Sequence, residues 1–194
     1  MPHPLPLIAF AGVFVFTTAS TAETITVCAS GCDHTSINAA IDAASNGDVI
    51  QLAAEIYLEG AAIDTDGKAL SILGTTDSNG DPTAILDGAE SHRVLYCNGG
   101  AGITLQDVVI RNGNADAGAG VGIAYCGAWN LTNCRFLNNV ATSGNGVGAG
   151  MVAEYTGGTT SLSGCVFSGN TAFDCGALIT ESLILSLNDC TFTS

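Results

Sequence analysis

Positive charge is nearly absent from this chain: four Lys and Arg stand against 18 Asp and Glu in 194 residues, a formal charge of −14. Phosphate backbones and anionic membrane surfaces repel such a chain, so nucleic acid is excluded as a partner. Charged residues of both signs make up only 11% of the sequence while 47% is hydrophobic, which excludes a disordered acidic tail and a salt-bridged helical array. No Cys-x-x-Cys pair occurs and His3, His34 and His92 are dispersed, so the eight Cys do not read as zinc ligands. No apolar run reaches the roughly 20 residues needed to span a bilayer, and no membrane span is expected. What is plentiful is glycine, 25 residues, interleaved with short β-branched runs. This is the composition of a turn-rich, all-β, single-domain chain.

The start of the chain reads as a signal peptide over residues 1–22. Leu5 to Phe16 is apolar, and Ala19, Ser20, Thr21 and Ala22 follow, with Ser20 and Ala22 at the −3 and −1 cleavage positions. A secreted, extracellular protein is implied, in which cysteines can pair. Residues 23–47 form an N-terminal cap: from His34 to Asn46, Ile37, Ala40, Ile41 and Ala44 recur at helical spacing, with Thr35 or Ser36 as cap and Asn46-Gly47 as stop. Short strands are predicted beyond it, at Val49 to Leu52, Ile56 to Leu58, Leu70 to Leu73, Ala84 to Leu86 and Val94 to Tyr96.

An internal repeat organises residues 48–194. Leu105, Leu131, Leu162 and Leu187 are spaced by 26, 31 and 25 residues, a solenoid period. Val108, Cys134, Cys165 and Cys190 follow three residues later, and Ile110, Phe136, Phe167 and Phe192 two beyond those, so both columns share one strand face. The pairs Gln106-Asp107, Thr132-Asn133, Ser163-Gly164 and Asn188-Asp189 bend the chain between two strands. Gly113, Asn139 and Asn170 are expected to take the left-handed conformation of a second corner. Gly118 to Ile123, Gly146 to Val152 and Asp174 to Ile179 supply a small-residue strand. The last repeat stops inside its own strand, as a truncated coil would, and this open end predicts end-to-end self-association.

Phe136-Leu-Asn-Asn139 and Phe167-Ser-Gly-Asn170 match an F-x-x-N signature, and Cys175-Gly-Ala-Leu178 is a variant of G-G-A-I. In these motifs the chain resembles secreted right-handed parallel β-helix proteins of the pectin-lyase-like fold that carry polymorphic outer-membrane-protein repeats. The resemblance implies an all-β, right-handed parallel β-helix, a solenoid with a short N-terminal capping helix. The coil at Leu105 departs from the signature, with Gly113 where Asn is expected. The motifs specify architecture, not chemistry.

Residues able to carry chemistry are few. The outward position between the Cys and Phe columns holds Val109, Arg135, Val166 and Thr191, and the best available acid and base set is Asp107, Arg111 and Arg135. Asp77, Asn79 and Asp81 are spaced like the start of a calcium loop, but Pro82 takes the glycine position and Gly88 the bidentate-Glu position; calcium is the one cofactor with any support, and none is required. Asp64 and Asp66 read as turn residues, His34 and His92 as structural or solvated, and Asn130-Leu-Thr132 is a formal glycosylation sequon. Cys28 with Cys32 and Cys97 with Cys126 are candidate disulfides, whereas Cys134, Cys165 and Cys190 form an interior ladder. These features favour a secreted, non-catalytic β-helix acting as a surface, adhesive or glycan-contacting module. The alternative is a polysaccharide lyase or glycoside hydrolase. A polysaccharide or cell-surface glycan is the expected partner in both.

Overall fold

The computed structural model describes residues 21–142, 147–181 and 184–194. All but the last two residues of the leader read in 1–22 lie outside them. Short apolar stretches, many of them ended by a residue at positive φ, wind into a right-handed parallel β-helix of about six turns. Three sheets run its length. The first face stacks Thr24–Val27, Val49–Leu52, Ser71–Leu73, Thr104–Gln106, Asn130–Thr132, Thr159–Ser163 and Ile184–Asn188. The second stacks Ile56–Tyr57, Ala84–Asp87, Val108–Arg111, Arg135–Leu137, Val166–Ser168 and Thr191–Thr193. The third stacks Ile63–Asp64, Leu95–Gly100, Val121–Cys126, Met151–Glu154 and Leu178–Glu181. Every pairing within these faces is parallel.

Register brings like residues together. Ile25, Ile50, Ile72, Leu105, Leu131, Leu162 and Leu187 align from coil to coil on the first face. On the second, Tyr57, Leu86, Ile110, Phe136, Phe167 and Phe192 align, and the three Phe rings stack with centroids 4.3 and 5.0 Å apart. The leucine and phenylalanine columns therefore sit on different sides of one core. In the last coil Leu187 and Phe192 are 46% and 44% exposed.

The corner between the first two faces bends at Asp107, Asn133, Gly164 and Asp189, each with φ between 50 and 63°. At the next corner the structure corrects the sequence reading. The left-handed residues are Asn112, Asn138 and Gly169, one position before those expected. Asn139 and Asn170 instead turn their amides inward. Asn139 Oδ1 accepts the Gly113 N–H at 2.8 Å, its Nδ2 donates to Ile110 O and Asn170 Oδ1, and Asn170 Nδ2 donates to Phe136 O. The stacked amides thus bond the Gly113 N–H at the bend and the carbonyls of Ile110 and Phe136 in the strands that lead into it.

The capping helix runs from Ile37 to Ala43, with Ser36 Oγ accepting the Ala39 N–H. Ile37, Ala40 and Ile41 are buried against the first coil. Glu59 reaches the same end of the helix and accepts from Ser36 Oγ, Ile37 N and Asn38 N, holding negative charge where the free N–H groups point. No helix among the described residues is long and apolar enough to cross a membrane.

Disulfides join Cys28 to Cys32 and Cys97 to Cys126. The second ties adjacent coils 29 residues apart, and on a chain-entropy model it stabilises by about 3–4 kcal/mol against about 2 for the short loop. Cys134, Cys165, Cys175 and Cys190 are free thiols. Cys134, Cys165 and Cys190 each reach back one coil to the carbonyl of the leucine column, at Leu105, Leu131 and Leu162. Burial pushes the Cys134 thiol well above its ordinary pKa. With a bulky aromatic disulfide reagent, Cys175 and Cys190 are expected to react in the native state, whereas Cys134 and Cys165 wait for unfolding. Counting thiols released before and after adding denaturant checks this.

Candidate polysaccharide-contact face

The outer surface of the third face holds what the second lacks. Strand alternation points Leu95, Val121 and Met151 inward, so residues on either side of the inward positions face out. One outward row runs Asp64, Tyr96, Gly122, Val152 and Ile179; the next runs Asn98, Ala124, Glu154 and Glu181. Where these strands end, Tyr125 and Tyr155 take φ of 55 and 50° and swing their rings into solvent, 65% and 43% exposed. The rings lie parallel, 5.2 Å apart and 7° from coplanar. Tyr155 Oη donates to Glu181 Oε1 at 3.2 Å, and that bond, with the carboxylate's charge, raises the phenol's pKa.

Beside the tyrosines lies a depression of about 200 Å³ lined by Arg93, Tyr96, Gly122, Val152 and Glu154. Arg93 donates through Nε to Gly118 O and through Nη2 to Ala117 O, with its guanidinium carbon 4.7 Å from the Tyr96 ring centre. Burial lowers its pKa, opposed by Tyr96 and Asp116. Gly122 leaves room for this placement, since a Cβ there would come within 2.9 Å of Arg93 Nε and displace the guanidinium. The result is a fixed cation, an exposed aromatic stack and two carboxylates on neighbouring coils. Aromatic faces accept the C–H faces of sugars, and carboxylates accept their hydroxyls. A larger hollow of about 310 Å³ beside the capping helix is less suited, since Glu59 is committed to the helix end and Glu55 accepts the Ala29 N–H.

The residues singled out in the sequence are placed elsewhere and engaged separately. Asp107 accepts from Asn133 Nδ2 and Gln106 Nε2, Arg111 Nε bonds Asp87 Oδ2 at 2.7 Å, and Arg135 pairs with Asp81. The loop carrying Asp77, Asn79 and Asp81 folds over the solenoid, where Gly80 O accepts from Asn133. Asp77 Oδ1 accepts the N–H groups of Asn79 and Asp81, which closes the loop on itself. Among the described residues no three His, Cys, Asp or Glu gather as a metal cluster.

Several carboxylates are held below their ordinary pKa. At Asp87 burial pushes up, but the Ala89 N–H, Arg111 and Asn112 outweigh it. Asp48 accepts from Glu23 N and Ser45 N, and Asp77 from Asp81 N and Asn79 N. Because these folded-state values are depressed, their stabilisation is present above the unfolded carboxylate value near pH 4 and is lost as pH falls through the folded values. Urea midpoints are therefore expected to hold from about pH 7 to 5 and fall steeply below about pH 4. Asp87→Asn should flatten that fall while lowering the midpoint at neutral pH.

No family model matches the chain, and no curated protein matches it. Solved structures share its fold, two forms of one enzyme among them. The pectin methylesterase from Aspergillus niger in deglycosylated form superposes with a TM-score of 0.58 at 14% identity, covering 91% of this chain. This chain spans 59% of that structure's length. The penultimately deglycosylated form of the same enzyme gives 0.53 at 14% identity, covering 92% of this chain and 69% of the other. The likeness is one of fold.

The Glu154 and Glu181 pair was not foreseen. The signal in the sequence is the recurrence of tyrosine after 30 residues, at Tyr125 and Tyr155.

Proposed function

We propose that this protein is a secreted β-helix that acts on an extracellular polysaccharide held against its third face. The observation that carries this reading is the exposed Tyr125–Tyr155 stack with Glu181 on its hydroxyl and Glu154 alongside. Glu154 and Glu181 stand opposite each other on neighbouring strands, about 4.8 Å apart at the backbone. That spacing is compatible with the roughly 5 Å carboxyl separation of hydrolases that use one carboxylate as nucleophile and one as acid and base. Glycosidic hydrolysis is therefore the reaction assigned to the face. Lyase chemistry is a poorer fit, because the cation of this face that would neutralise a substrate carboxylate is Arg93, whose Nε and Nη2 are already given to Gly118 O and Ala117 O. Lys68 donates to Ile41 O, Arg93 to Gly118 O and Ala117 O, and Arg111 and Arg135 are in ion pairs. The polysaccharide-directed name of the structural neighbours supports the substrate class, and the two disulfides suit an extracellular setting.

The test is incubation of the purified protein with neutral and methyl-esterified polysaccharides, following new reducing ends and retention on the immobilised polymer. Glu154→Gln and Glu181→Gln are expected to lose turnover and keep retention. A second reading, contact without turnover, is favoured by the commitment of Glu181 to Tyr155, and retention of wild-type protein with no product establishes it. Neither retention nor product removes both readings.

A further inference from the structure

We infer that the ring face of Tyr125 turned toward Gly99 is a subsite for one uncharged pyranose ring. This rests on the reading of the third face as a polysaccharide contact and names where a sugar is held. Asn98 aligns with Ala124 and Gly100 with Cys126, which sets Gly99 opposite Tyr125 on the preceding coil. Tyr155 covers one face of the Tyr125 ring, and the other looks over a residue with no side chain. A Cβ built on Gly99 would meet nothing within 4 Å, so the space above it is open.

The opening has a defined height and a firm base. Coils repeat at about 4.8 Å, so one coil without a side chain gives room for one ring stacked on Tyr125. Below it the backbone is closely packed: a Cβ on Gly100 would come within 2.5 Å of Gly67 Cα. The Cys97–Cys126 disulfide ties together the two coils that frame the opening. The exposed Asn98 lies alongside to bond a hydroxyl. Charge selects among sugars. Asp64 and Asp66 lie on the coil before the opening and Glu154 and Glu181 on the second and third coils after it, outnumbering Lys68, which pairs with Asp66, and Arg93 beside Tyr96, so a uronate carboxylate is repelled, whereas a neutral or methyl-esterified residue is accepted.

Binding is measured by calorimetry with cellohexaose, xylohexaose, mannohexaose, highly methyl-esterified pectin and de-esterified polygalacturonate. Wild-type protein is expected to bind at least one uncharged member of the panel and to bind polygalacturonate more weakly than the esterified polymer. Gly99→Tyr places a third ring in the column, at a positive φ of 78° where Tyr125 and Tyr155 take 55 and 50°, and should weaken binding about tenfold or more. Tyr125→Ala should do the same, whereas Tyr125→Phe, which keeps the ring, should bind as wild type. These two variants decide the matter if Gly99→Tyr does not fold. Wild-type affinity in folded Gly99→Tyr or in Tyr125→Ala overturns the subsite and leaves the polysaccharide reading standing. Preference for polygalacturonate overturns the uncharged ligand, and binding to no member overturns both inferences.

Discussion

Phe167→Ala is expected to cost about 3–5 kcal/mol of folding stability, read as a fall in the urea midpoint with little change in slope. Phe167 is fully buried, with Phe136 stacked at 4.3 Å on one side and Phe192 at 5.0 Å on the other. Removing the middle ring strips contact from both neighbours. The coils cannot close the gap, because each is hydrogen-bonded at fixed spacing to the next through Val166, Phe167 and Ser168. Phe167→Leu leaves a smaller void and should cost less than half as much. A loss below about 1 kcal/mol for the alanine variant would mean that the phenylalanine column is not a core element.

The second large effect concerns the inward asparagines. Asn139→Ala is expected to cost about 2–4 kcal/mol, since it strands the Gly113 N–H and removes the amide bonds to the Ile110 carbonyl and Asn170 in a site where Asn139 is fully buried. Gly113→Asn, which would complete the F-x-x-N pattern in the coil at Leu105, is expected to destabilise by a similar or larger amount. A Cβ at Gly113 would lie 2.0 Å from Ala119 O and 2.9 Å from Asn139 Oδ1. Gly113 is therefore where the column of amides stops, and its N–H is the group that Asn139 satisfies. Equal stability of Gly113→Asn and wild type in thermal unfolding would contradict this packing.

The columns were legible because a coil repeats the same inward position at each turn. Leu131 and Leu162, or Phe136 and Phe167, therefore appear in the sequence as a period. Asn139 was legible as a special position but not in its role, since asparagine serves both as a left-handed corner residue and as an inward donor and acceptor. Asn138 takes the first role and Asn139 the second, one residue apart. The pairing of Asp81 with Arg135 was hidden because a loop from one coil folds over others, and no local period encodes that reach. The third face was obscured for a different reason. Its inward residues, Leu95, Val121 and Met151, share little beyond being apolar, so no column drew attention to the outward Glu154 and Glu181.

The Cys97–Cys126 bond also bears on how the molecule yields to force. A solenoid pulled by its ends peels one coil at a time, each coil giving up its strand pairings as it leaves the stack. The covalent tie between two neighbouring coils in the interior of the array breaks that sequence. A tear arriving from either side must stop at the pair or lift both coils together, surrendering two sets of pairings in one step. The loop enclosed by the bond also stays short, so the fully extended length of the oxidised protein is smaller than that of the reduced one by most of 29 residues.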